Sequence, residues 1–205
     1  ILLCFLFIIN GANLIDGFNG LLGINLIIIN TILAYINIDA GNTEFSVFLI
    51  GQLTILLAFL LFNFPNSKIF FGDSGSYLMG GLVALNTIVT NNLNPNYSSF
   101  FFCALLFYLF FEVFFSFIRK VVQKKSPVHP DGEHLHMLVF ARVSLKFGKH
   151  NGNYINSIII NLIYIICILP ALYFAKDPIV SRYWFFSLIV IYLIIYYRLY
   201  RLTKN

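Results

Sequence analysis

Long apolar runs, broken by short polar clusters, set the pattern of this chain. Six runs are long enough to form membrane-crossing helices, at 18–37, 45–62, 74–90, 98–118, 154–175 and 182–199. A helix of about 20 apolar residues matches the hydrocarbon core of a bilayer. Residues 1–9 read as the end of a seventh helix. Neither a basic start nor a small-residue cleavage site accompanies that run, so it does not read as a signal peptide. Because the chain opens at Ile1 within an apolar run and without a methionine, further helices are expected before it. The predicted fold is all-α: a polytopic membrane protein of about six complete transmembrane helices plus the end of a seventh. The 119–153 segment is the only long polar stretch, and no repeat or Gly/Ser- or Pro-rich linker divides the chain. One domain over 1–205 is expected.

Composition agrees with the pattern and charge adds an orientation. The chain is 60% hydrophobic and 10% charged, with a mean hydropathy of +0.86. A soluble domain of 205 residues could not hide that much apolar surface, whereas a bilayer can. With residues 10–17 placed inside, the inner segments collect Lys68, Arg119, Lys120, Lys124, Lys125, Arg142, Lys146, Lys149, Arg198, Arg201 and Lys204. The outer loops hold only Lys176 and Arg182. This eleven-to-two split predicts a cytoplasmic inner side. The net charge of +5 then reflects topology and attraction to anionic head groups, and no nucleic-acid-binding module accompanies it. Cys4, Cys103 and Cys167 sit apart in apolar runs without CxxC spacing, as small buried hydrophobes do.

The polar clusters all fall on that inner side. The first, Asn10 to Gly20, carries Asn13, Asp16 and Asn19 among glycines just before a helix. Glycine lets backbone approach a ligand closely, and a helix start offers free N–H groups to an anion. Asp16 could hold a divalent cation, with Asn13 and Asn19 pairing with a base or sugar; capping of the next helix is the plainer alternative. The second cluster runs from Asn63 and Pro65 through Lys68, Phe70 and Phe71 to Gly72, Asp73 and Gly75. Asp73 either caps its helix or shares Mg2+ with Asp16, since that ion takes a few carboxylates plus phosphate oxygens. Lys68 is a counter-charge for phosphate, and Phe70 or Phe71 a surface for a base.

The third cluster, Pro130 to His136, lies in the basic loop. His134 and His136 are two apart, unlike a helical zinc pair. With Arg142 and Lys146 nearby they suit phosphate better than a metal centre. His129 and His150 show no pattern and read as solvated. Glu112, an ionisable group within an apolar run, needs a partner; Arg119 and the site are the two candidates.

Together these residues resemble the polyprenyl-phosphate N-acetylhexosamine-1-phosphate transferases (glycosyltransferase family 4). The family pattern N-x-x-N-x-x-D-G-x-[DN]-G-L matches Asn10, Asn13, Asp16, Gly17, Asn19, Gly20 and Leu21. Its N-x-P…K-I-F-x-G-D-x-G-[SA] pattern matches Asn63, Pro65, Lys68, Ile69, Phe70, Gly72, Asp73, Gly75 and Ser76. Glu112 with Arg119 and Lys120 matches an acidic helix position followed by a basic pair. Pro130, Asp131, His134, His136, Leu138 and Arg142 match the histidine motif. Asn19 stands where several members carry aspartate, and Met137 where many carry another histidine; both favour a plain UDP-N-acetylhexosamine donor. The family's upstream D-D-x-x-D motif is not found within these residues.

The resemblance implies transfer of N-acetylhexosamine-1-phosphate from a UDP-sugar to polyprenyl phosphate at the cytoplasmic face of a bacterial inner membrane, with Mg2+ as cofactor. It implies Asp73 and Asp16 as metal and catalytic carboxylates, and Phe70 stacked on uracil. Asn13 and Asn19 would lie near the uridine, and Lys68, His134, His136 and Arg142 near the phosphates or sugar. The lipid bilayer and the two substrates are the implied partners, with a homodimer left open. A transporter or a non-catalytic membrane protein is the rival reading; a transporter would place its polar residues along a path inside the helices.

Overall fold

The computed structural model describes residues 2–126, 129 and 131–204. Ile1 and Pro130, named above, lie outside the described residues. Among these there are eight helices and no strand: α1 Leu2–Ile15, α2 Leu21–Asp39, α3 Thr43–Asn63, α4 Gly72–Leu93, α5 Ser99–Leu105, α6 Phe107–Val122, α7 Leu135–Tyr173 and α8 Pro178–Lys204. Four of them, α2, α3, α7 and α8, are long and apolar enough to cross a membrane, or five crossings when the pair α5/α6 counts as one. The expected run 74–90 is indeed helical, as α4. It falls short of the same apolarity because Asn86, Thr87 and Thr90 sit within it.

Local chemistry sets most of the boundaries. Gly20, at φ 79°, makes the left-handed turn into α2 that a side chain would resist. Asn63 ends α3 two residues before Pro65, which cannot continue a helix with its neighbours. Asp177 caps α8 by accepting from the Ile179 and Val180 N–H groups at 2.9 and 3.0 Å, with Pro178 at the first helical position.

Three elements depart from the sequence reading. The loop expected at 10–17 is mostly helix, so Asn10 and Asn13 project from the last turns of α1. The run 98–118 is broken at Leu106 and bent by 73°. Within the stretch expected to be loop, α7 already begins at Leu135 and turns sharply at Gly148 (φ 76°, ψ 161°) before entering its apolar part.

Helix α2 is the core element, packed against α3, α4 and α7, while α1 lies between α4 and α6 and α8 covers α5 and α7. Leu21, Leu22, Leu26, Ile29, Leu33 and Ile36 are buried along α2. So are three asparagines. Asn25 meets Asn161 of α7 (3.4 Å), Asn30 accepts from Asn86 of α4 (3.0 Å), and Asn37 donates to Thr90 (2.9 Å). Such amide pairs cross-link helices where apolar burial gives no driving force between them.

Candidate active site

The first two clusters meet where α1 ends against the start of α4. Asn13 donates its amide N–H to Tyr77 Oη (3.0 Å) and accepts from Ser76 Oγ (2.9 Å), so α4 fixes its orientation. The neighbouring turn is stitched to the α3–α4 loop. Asn63 Oδ1 accepts from the Gly20 N–H at 2.7 Å, and Asn19 donates its amide to the Pro65 carbonyl at 2.7 Å. Asn153 of α7 accepts from the Asn19 backbone N–H at 2.7 Å.

Neither aspartate serves as a helix cap, because α2 and α4 both start without a side-chain cap. Asp73 lies in the first turn of α4 with its side chain exposed. Asp16 is half-buried, and that burial pushes its carboxyl up to about 6. A hydrogen bond from the Gly72 backbone opposes the shift, and the negative charge of Asp73 adds to it. A carboxylate whose proton affinity is raised by a second carboxylate nearby is a candidate to share a divalent cation with it. Mg2+ asks for little more than this from protein, taking its other oxygens from water and phosphate. Among the described residues no group of three or more His, Cys, Asp or Glu side chains is arranged to hold a metal ion. The carboxylate oxygens of Asp16 and Asp73 would suit Mg2+, which takes oxygen ligands, better than zinc, which favours histidine and cysteine.

The third cluster joins the first through an aromatic contact and a shared cleft. Phe18 packs edge-on against the His136 ring at 5.7 Å. The His134 and His136 rings lie parallel, 5.5 Å apart, and both are buried. His136 Nδ1 pairs with Tyr108 Oη at 3.3 Å. A cleft of about 440 Å3 opens here, with Asn10, Asn13, Lys120, Asp131, His134 and His136 among its polar lining. Phe7, Leu14, Val113 and Phe117 form its apolar wall along α1 and α6.

Glu112 does not pair with Arg119. It is 1% exposed and turns to His134, whose Nδ1 is 3.2 Å from Oε1. Arg119 instead clamps the histidine-bearing segment, reaching Asp131 at 2.9 Å and Glu133 at 2.7 Å. Burial pushes the Asp131 carboxyl up, but the hydrogen bonds from Arg119 and the Glu133 N–H, with the Arg119 charge, together outweigh this and hold it below the usual carboxylate range. Lys120 donates to the His129 carbonyl at 2.7 Å, and its ammonium lines the cleft.

Asp16, Asn19 and Asp73 are not among the described residues that line the cleft, and the remaining predicted residues also lie apart from it. Lys68 and Phe70 are exposed on the α3–α4 loop, Phe70 at 57%, whereas Phe71 is stacked on Phe59 at 3.8 Å. Of that aromatic pair only Phe70 has a face open to a ligand. Arg142 is exposed and donates to the Leu202 carbonyl at 2.9 Å; it is not among the described residues that line the cleft. Tyr77, Tyr108, Asn153 and Tyr192 support the site without a signal in the sequence, since their partners are far away in the chain.

Residues 1–91 match the family described as glycosyl transferase family 4. The chain is 34% identical over 148 residues to the undecaprenyl-phosphate alpha-N-acetylglucosaminyl 1-phosphate transferase of Thermotoga maritima, covering 71% of this chain and 42% of that protein. It is 34% identical over 125 residues to the phospho-N-acetylmuramoyl-pentapeptide-transferase of Clostridioides difficile, covering 60% of this chain and 39% of that one. The chain thus spans about two fifths of the length of these relatives. No solved structure matches it.

Proposed function

We propose, from the match of residues 1–91 to glycosyl transferase family 4, that this chain carries much of the active site of a polyprenyl-phosphate sugar-1-phosphate transferase. The observation that supports it most is the meeting of the first and third polar segments, far apart in sequence, at one cleft. The second segment and the start of α4 are bonded to Asn13 of that lining through Ser76 and Tyr77. The donor is a UDP-N-acetylhexosamine and the acceptor a polyprenyl phosphate. A phosphate oxygen of the lipid forms a bond to the β-phosphorus of the donor, the bond from that phosphorus to the bridging oxygen breaks, and UMP leaves with the electron pair.

Most of the protein's task in such a transfer is to position and screen two anions. Asp16 and Asp73 would hold Mg2+, which when bound neutralises charge on the pyrophosphate oxygens. The amide of Asn13, fixed by Ser76 and Tyr77, presents a set polar edge to the donor. Phe70 offers its open face to uracil. Lys120 and the two histidines bring positive or hydrogen-bonding groups to the head of the cleft, and its apolar wall suits the first isoprene units of the acceptor. The phosphate nucleophile is already ionised, so the arrangement needs no general base.

The buried amides of α2, α3 and α4 are what a transporter would display, but here they bond to each other: Asn86 holds both Asn30 and Gln52. The test is exchange of labelled UMP into UDP-sugar by membranes carrying the full-length protein. Exchange that requires Mg2+ is expected. Asp73→Asn and Asp16→Asn should each lower it by orders of magnitude, because each removes charge from a site with few ligands. Near-normal exchange in Asp73→Asn would sink the assignment.

A further inference from the structure

Glu112 is buried midway along an apolar helix and faces three hydrogen-bond donors. Tyr192 of α8 donates its hydroxyl to Oε2 at 2.8 Å, the Leu135 N–H donates to Oε1 at 3.0 Å, and His134 Nδ1 lies 3.2 Å from that same oxygen. A carboxylate only accepts, so an imidazole bonded to it carries its proton on Nδ1. The other nitrogen, Nε2, is 3.6 Å from Asp131 Oδ1, on the side of the cleft that both residues line.

Helix α8 contributes no residue to that cleft among those described, yet it holds the supports. Tyr192 is buried and set edge-on among Phe107, Phe111 and Phe115, at 6.3, 4.9 and 5.4 Å, so its hydroxyl has little freedom to swing away. One turn later Tyr196 donates to the Glu133 carbonyl at 2.9 Å, fixing the backbone next to His134. We propose that Glu112, held by Tyr192, is a positioning residue that locks His134 as its Nδ1–H tautomer and leaves Nε2 for the ligand in the cleft. The tautomer of a working histidine is commonly set by the partner of its other nitrogen. The inference deepens the transferase reading for its consequence, while its test stands apart from activity.

The experiment is side-chain 15N NMR of the full chain, histidine-labelled, in detergent micelles, with His134 assigned by loss of its signals in His134→Ala. Wild type should show the Nδ1–H form at His134. Glu112→Ala, which removes the acceptor at Nδ1, should release that preference and populate the Nε2–H form. Glu112→Gln, whose carbonyl oxygen can still accept from the Leu135 N–H and Nδ1–H, should retain the Nδ1–H form. Tyr192→Phe, which keeps the aromatic packing, should shift the His134 signals and leave those of the exposed His129 and His150 in place. An Nε2–H form in the wild type overturns the proposal. If Glu112→Ala does not fold, Tyr192→Phe decides alone, and an unmoved His134 signal in the folded variant overturns it. Absence of UMP exchange in the wild type would count against the transferase reading and leave the tautomer result standing.

Discussion

Asp16 and Asp131 are both loop carboxylates, and their surroundings push them in opposite directions. Asp16 binds its proton more tightly when folded, up to about pH 6, so its ionisation lowers stability as pH rises from about 4 to 6. A cation that binds the Asp16–Asp73 pair must displace that proton. Below about pH 6 its binding should release close to one proton and weaken as pH falls. Calorimetric titration of Mg2+ in two buffers of different ionisation enthalpy measures the release. Affinity unchanged from pH 7.5 to about 5 would exclude Asp16 from the cation site. Asp131 behaves in the opposite sense. Its bond to Arg119 stabilises the folded segment at all pH values above the ordinary carboxylate range and is lost as pH falls below it. Proteolysis of the 119–134 segment should therefore stay flat from pH 8 to 5 and accelerate only at lower pH.

The individual residues were partly legible from sequence. Asp16, Asp73, Asn13 and the two histidines stand out because polar groups at the edge of apolar runs are costly without a purpose. Their supports were not, because Tyr77, Asn153 and Tyr192 gain meaning only from partners 64, 134 and 80 residues away. Of the two partners open to Glu112, Arg119 and the site, the structure shows the site, through His134. Spacing along one helix brought Arg119 into view and kept His134 out of it.

The helices themselves were legible as apolar runs, but their ends and breaks were less so. Polar residues at 10–13 suggested a loop, yet an amide side chain can project from a helix end without disturbing its backbone bonds. The bend at Leu106 lies in an unbroken apolar run with neither Gly nor Pro, so nothing local announces it. What does hold α1 in place is close approach at glycine. A Cβ on Gly11 would lie 2.0 Å from the Leu109 carbonyl oxygen of α6, and one on Gly80 of α4 would lie 2.8 Å from Ala12 Cβ. Alanine normally favours a helix over glycine by about 1 kcal/mol. Here the clash with backbone reverses the sign, since overpacking costs about 1–3 kcal/mol. Gly11→Ala should lower the thermal unfolding midpoint in detergent. Gly51→Ala on α3, where a Cβ meets nothing within 4 Å, should leave it equal or slightly raised. Equal midpoints for the two variants would show that α1 is not packed between α4 and α6 as described.

At the scale of the whole molecule, chain direction alternates so that one end of the bundle carries the site. Helices α1, α3 and α6 end there, and α2, α4 and α7 begin there. The opposite end is closed by its own bonds: Asn42 reaches Asn94 at 3.4 Å, and the Ser98 N–H donates to the Ala175 carbonyl at 2.8 Å. Helix α3, with 21 residues, is about 31 Å long, enough to carry Thr43 and Asn63 to opposite faces of a hydrocarbon core of about 30 Å. Lys176 and Arg182 flank the closed end, and the other eleven basic residues belong to the site end or its adjoining segments. The basic excess predicts that the site end faces the cytoplasm. Cys4, Cys103 and Cys167 can be removed to give a background without thiols. In that background a cysteine at Thr43 should react with an impermeant maleimide added to intact cells, and one at Ser126 only after the membrane is opened. Reaction of both from outside would leave Asp16, Asp73 and the histidines without access to a cytoplasmic nucleotide sugar. The cleft would then need another ligand altogether.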